Sequence, residues 1–188
     1  MPAAFLSAFQ SRTDLAKYGA NALLLFALEL KYQLPDIDSV AINALTDGPD
    51  DKKCDLIYVD RERGLAIVAQ GYMASDATKA EAKANKATDL NGAASWLLTT
   101  AMDELPPGLQ SAAGELRAAL ENKEIDSLQF WYVHNLPESP NVRNELKVVA
   151  NTVRATCETY YPMAGVTEIT AVEVGTTHRA YWSRPQPR

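Results

Sequence analysis

The stretch that most constrains this chain is Cys54 to Tyr72, CDLIYVDRERGLAIVAQGY. Two short apolar runs, Leu56 to Val59 and Leu65 to Ala69, flank a charged turn from Asp60 to Gly64. Branched and aromatic residues bounded by turn formers predict two adjacent antiparallel strands. Such a hairpin sets the acidic start of the first strand, Asp55, beside the polar end of the second, Gln70. A carboxylate and an amide oxygen brought together in this way can face one divalent cation, which takes hard oxygen ligands. The plainer reading is a surface hairpin with a solvated Asp at its mouth.

The rest of the composition narrows the function classes. A chain of 188 residues with 47% hydrophobic content supports one domain with a sizeable core. Its formal charge of −6 argues against gripping nucleic acid by bulk electrostatics, which needs clustered Lys and Arg, and leaves room for a local basic face. Cys54 and Cys157 lie far apart without metal-ligand spacing, so they predict neither a disulfide framework nor a zinc site. With only His134 and His178 present, both near predicted strands, a histidine-based cluster is poorly supported. Met1 to Phe9 lacks a basic leader, and the most apolar window, Ala20 to Leu30, is too short to cross a bilayer; the expected location is cytoplasmic.

Along the chain, Thr13 and Asp14 predict a helix start, with apolar positions recurring from Ala16 to Leu28, the helix continuing to Lys31 and a stop at Leu34-Pro35. Glu29 lies near that helix's C-terminal end, where the helix dipole disfavours an acid; it is either solvated or directed toward the strand pair. Residues Ile37 to Leu45 fit a short helix or a strand. Asp47, Asp50 and Asp51 follow in a loop, as solvated acids or as support for a metal. Helices are predicted over Asn85 to Ala101, Leu109 to Leu120 and Asn141 to Tyr160, and strands over Ser127 to Val133 and Ile169 to Val174. Ala180 to Trp182 reads as an edge strand. The alternation predicts an α/β sheet layered with helices.

These residues resemble a known family. CDLIYVD followed by AIVAQGY is similar to the core of the PD-(D/E)XK nuclease superfamily. The blocks ANKATDLNGAASWLL, Ala84 to Leu98, and YVHNLPESPNVRNEL, Tyr132 to Leu146, narrow the resemblance to the N-terminal domain of abortive-infection phage-resistance (AIPR) proteins. It covers about Glu29 to Val174. The resemblance implies a restriction-endonuclease-like mixed sheet with flanking helices over residues 1–183. Residues 184–188 would then be a tail or linker to a C-terminal region of a longer parent protein. It also implies that Glu29, Asp55 and Gln70 hold Mg²⁺ or Mn²⁺. The family's lysine position falls on Tyr72, and a phenol of ordinary pKa near 10 cannot replace an ammonium at neutral pH. Lys86, at the start of the next helix, is either the substitute or a solvated helix-end lysine, with Lys83 and Lys79 less constrained. The carbonyls of Ala69 or Gly71 are further oxygen ligands.

Two functions follow as expectations. One is divalent-metal-dependent phosphodiester hydrolysis of DNA or RNA in phage defence, with Asp55, Gln70, Glu29 and Lys86 at the site. The alternative is a degenerate nuclease fold that binds nucleic acid or a protein. A homo-oligomer is a third possibility, with Trp131/Tyr132, Tyr160/Tyr161 and Tyr181/Trp182 as contact area or as core.

Overall fold

The charged turn at Asp60 to Gly64 does what its composition predicts: Gly64 takes φ 65°, and the chain reverses between β1 (Leu56–Asp60) and β2 (Leu65–Tyr72). They pair antiparallel from Leu56↔Ala69 to Asp60↔Leu65. Asp60 fixes the turn by accepting hydrogen bonds from the Arg63 backbone N–H at 3.0 Å, the Arg63 guanidinium at 2.6 Å and the Tyr58 hydroxyl at 2.9 Å. The structure is a computed structural model that describes residues 4–46, 50 and 52–182.

Before the hairpin come α1 (Ala4–Gln10), a 3₁₀ segment (Thr13–Asn21), α2 (Ala22–Tyr32) and α3 (Ile37–Ala44). After it come α4 (Ala84–Thr99), α5 (Pro107–Glu121), β3 (Ser127–His134), α6 (Pro140–Tyr160), β4 (Glu168–Val174) and α7 (Arg179–Trp182). The single predicted helix from Thr13 is thus divided. Gly19, at φ 54°, kinks the chain where the 3₁₀ turns give way to α2. The ambiguous Ile37 to Leu45 run is a helix because Asp36 caps it, accepting from the Ser39 N–H at 3.1 Å. Leu45 then forms one antiparallel bridge with Leu56. Ala180 to Trp182 is the tail of a short helix and not an edge strand. Its Trp182 ring stacks on Phe5 at 3.9 Å and Tyr181 meets Trp131 edge-on at 5.0 Å, contacts a sheet edge would not offer. The predicted tail at 184–188 lies outside the described residues.

The sheet has the order β1-β2-β3-β4, with β2, β3 and β4 parallel to one another. Both faces are covered, which is why β2 and β3 are nearly continuous apolar runs. Successive side chains alternate between layers. Ala66, Val68, Phe130 and Tyr132 pack under α4, α5 and α6, while Ile67, Ala69, Trp131 and Val133 pack under α2. Residues 22–28 of α2 are all buried, because α7 and α3 cover the side turned away from the sheet. The chain is therefore a mixed α/β fold with helices on both faces. Among the described residues no helix is long and apolar enough to cross a membrane.

Candidate functional site

Asp55 precedes the first residue of β1, and its surroundings depend on an irregularity there. Its backbone N–H donates to Ala69 O at 2.9 Å, although Ala69 already has Leu56 as its ladder partner. Two consecutive residues thus address one, which is the pattern of a β-bulge. In a regular ladder Asp55 would stand opposite Gln70. Instead the bulge turns its carboxylate toward the next residue, and Oδ2 accepts the Gly71 N–H at 2.7 Å. A Cβ added at Gly71 would face that same Oδ2 at 3.7 Å together with Leu24 Cδ1 of α2 at 3.7 Å. The Asp55 carboxylate therefore lies on the α2 face of the sheet.

Gln70 points the other way. It lies between Ala69 and Gly71, which both face α2, and its register partner is Tyr132 in the layer under α4 to α6. The residue is only 3% exposed, and Oε1 is buried without a hydrogen-bond partner among the described residues. Tyr72, two residues on, packs on the same layer. So the strand positions sharing a face with Asp55 are Ala69 and Gly71, and neither side chain can ligate a cation. The Ala69 carbonyl already accepts the Asp55 N–H.

Glu29 is also held elsewhere. Leu24 is the α2 residue that meets Gly71, and five residues along a helix turn the side chain by roughly 140° and move it about 7.5 Å. Glu29 accordingly points away from Asp55, and its carboxylate is hydrogen-bonded to the Arg12 guanidinium. Hydrogen bonds to Asp14 and Glu29 hold the Arg12 guanidinium in its charged form and raise the Arg12 pKa well above the usual value. The acid disfavoured at this helix end is thus part-exposed and paired with Arg12, not turned to the strands. Lys86 sits half-buried in the first turn of α4, the helix that packs on the Gln70 face of the sheet. Lys79 and Lys83 are exposed. Asp50 pairs with Lys52 at 2.6 Å, while Asp47 and Asp51 lie outside the described residues. Among the described residues no three of His, Cys, Asp and Glu gather to hold a metal. Glu29, Asp55 and Gln70 consequently do not fit a cation shared among them.

The structure instead brings together polar residues that sequence patterns left apart, at the C-terminal ends of β3 and β4. His134, fully buried, accepts the Leu136 N–H on Nδ1 at 3.2 Å. Its proton therefore sits on Nε2 and is donated to Glu173 Oε1 at 3.0 Å. Both oxygens of Glu173 also accept the Ser139 N–H, at 3.2 and 3.1 Å, just where Ser139 caps α6. Asn135 exchanges two hydrogen bonds with the Ala74 backbone, at 2.8 and 3.0 Å. The Tyr132 hydroxyl donates to Lys83 O at 3.3 Å, and burial raises its pKa. The signal available in the sequence was Glu173 interrupting ITAVEV at a position that alternation assigns to the interior. Beside this network, Glu138, Arg143, Leu146 and Thr177 border an open cavity of about 510 Å³. Both cysteines are buried. The chain matches no family model, no curated protein and no solved structure.

Proposed function

We propose that this chain is a nuclease-like α/β module of the AIPR type that keeps the fold without the cleavage site and works by binding a protein or nucleic-acid partner. What supports the fold assignment is the succession of α2, an antiparallel hairpin, α4 and a parallel β3, with Leu45 bridging Leu56 where a further strand would pair. The observation that carries the loss of cleavage is the bulge at Asp55, which commits its carboxylate to the Gly71 N–H on one face while Gln70 points into the other. Tyr72 at the family's lysine position fits the same conclusion. The formal charge of −6 favours a protein partner over a nucleic-acid backbone.

One observation favours the catalytic reading, hydrolysis of phosphodiesters with Mg²⁺ or Mn²⁺. The buried Gln70 Oε1 has no partner among the described residues, and a donor or cation would satisfy it. Cleavage of single- and double-stranded DNA and RNA in Mg²⁺ and in Mn²⁺, by the wild type and by Asp55→Asn, separates the two. The binding module shows no cleavage that depends on Asp55, and calorimetric titration shows no cation bound. Cleavage by the wild type that disappears in a folded Asp55→Asn would overturn the proposal.

A further inference from the structure

Along α4, Thr88, Gly92 and Trp96 recur every four residues and so form one stripe of the helix. With Asp89 they border a cavity of about 340 Å³, whose other wall is Asp50, Lys52 and Lys53 from the segment leading into β1. Gly92 leaves the middle of the stripe open, since a Cβ there would meet nothing within 4 Å. One ammonium already lies against this site. Lys52 Nζ stands 4.4 Å from the centroid of the Trp96 ring and pairs with Asp50 at 2.6 Å. Lysine side chains ordinarily extend into water, but this one is only 22% exposed. An indole face and a carboxylate on one ammonium are two favourable ways of holding such a cation.

The backbone that delivers Lys52 is unfavourable. Lys52 and Lys53 stand consecutively at φ 53° and 64°, in the left-handed region that a Cβ disfavours. Such a conformation persists only where surrounding contacts hold it, and the Lys52 side chain supplies contacts of that kind through Trp96 and Asp50. We infer that this cavity recognises a lysine ammonium on a basic segment of a partner protein, and that Lys52 fills the cation position until that partner arrives. The exchange is balanced in charge, one ammonium replacing another, and Lys52 departs into water with its backbone free to relax. Once it has left, two carboxylates, Asp50 and Asp89, face the single positive charge of Lys53, so the vacated site attracts a cation. Asp89 has neither hydrogen bond nor ion pair among the described residues and is available to the incoming group. The formal charge of −6 suits a basic partner. This names the chemistry of the protein partner proposed above and rests on that reading; its test follows Trp96 and not cleavage, so either can fail without the other.

The probe is the peptide acetyl-Lys-Gly-Lys-amide, titrated into the whole chain. Nuclear magnetic resonance follows the indole N–H signal of Trp96, identified by its loss in Trp96→Phe. Lys52→Gly suits the left-handed backbone and removes the internal ammonium. A cation–π contact together with an exposed ion pair keeps most molecules filled by Lys52, so Lys52→Gly should bind the peptide roughly threefold to thirtyfold more tightly than the wild type. The same peptide acetylated on both lysine Nζ atoms keeps its length without its charge and should leave the Trp96 signal unmoved. A Trp96 signal that the charged peptide does not move in folded Lys52→Gly would overturn the inference. So would an equal response to the acetylated peptide, or binding to Lys52→Gly no tighter than to the wild type. Putrescine, a free diamine of the same charge, binding at least about tenfold more tightly than the peptide would reassign the site to a small amine and overturn the protein partner. Lys52→Gln is read in the same way if the glycine variant does not fold.

Discussion

Replacing Asp55 with alanine tests whether that carboxylate is structural. Its Oδ2 accepts the Gly71 N–H at 2.7 Å in a part-buried position beside Leu24. The bulge has taken Gly71 out of the regular ladder, so alanine leaves that donor without its carboxylate partner. An unsatisfied part-buried N–H costs roughly 1–3 kcal/mol. For a domain of this size each kcal/mol moves Tm by about 2–4 °C, so Asp55→Ala should melt roughly 2–12 °C lower. Asp55→Asn keeps an oxygen at the same reach and should recover more than half of the loss. A metal ligand behaves differently. Removing it relieves carboxylate repulsion and leaves the apo protein no less stable, while a bound cation raises the wild-type Tm by mass action. Differential scanning fluorimetry of the three proteins, with and without millimolar Mg²⁺, measures both effects. An Asp55→Ala protein that melts at or above the wild type, or a wild type that Mg²⁺ stabilises and Asp55→Asn does not, would refute the argument.

Three further outcomes are expected. Burial acts to raise the Asp60 carboxyl, but hydrogen bonds from the Arg63 side chain, the Arg63 backbone and Tyr58 outweigh it and hold its pKa below the ordinary value. Its stabilising contribution is therefore present above the unfolded carboxylate range and is lost as pH falls through the depressed folded value. The Tm difference between wild type and Asp60→Asn should shrink on acidification below about pH 4. Burial pushes the Cys157 thiol up to about 11, so iodoacetamide at neutral pH should label it far more slowly in the native protein than in urea; equal rates would count against its burial. A Cβ at Gly175 would stand 2.5 Å from Leu136 O and 2.7 Å from His134 Cε1, so Gly175→Ala must displace the chain around the His134–Glu173 pair. It should cost roughly 1–3 kcal/mol in urea denaturation.

Most elements were legible because their signals are local. The hairpin followed from two branched runs around Gly64, and Ser139-Pro140 announced α6 through a cap and a first-turn proline. Ala180 to Trp182 misled because its aromatic character suits a strand as well as a helix end, and only the stacking of Trp182 on Phe5 distinguishes them. The candidate site was less legible for a sharper reason. Chain spacing placed Asp55 and Gln70 at the same end of the hairpin, which is correct, but a period of two carries side chains to a common face only if the ladder is regular. The bulge at Asp55 shifts that alternation by one residue and moves the carboxylate from Gln70 to Gly71.

From its sequence alone, then, this protein's α/β layering, its hairpin and the ends of its longer helices follow, since periodicity, caps and turn residues act within a few positions of themselves. Tertiary structure alone decided which polar groups meet. Arg12 reaches Glu29, and His134 reaches Glu173 across 39 positions of chain. Such pairs form because burial makes an unpartnered polar group costly, so each takes whatever donor or acceptor the packed layers bring within reach. Nothing in the spacing of those residues announces the choice.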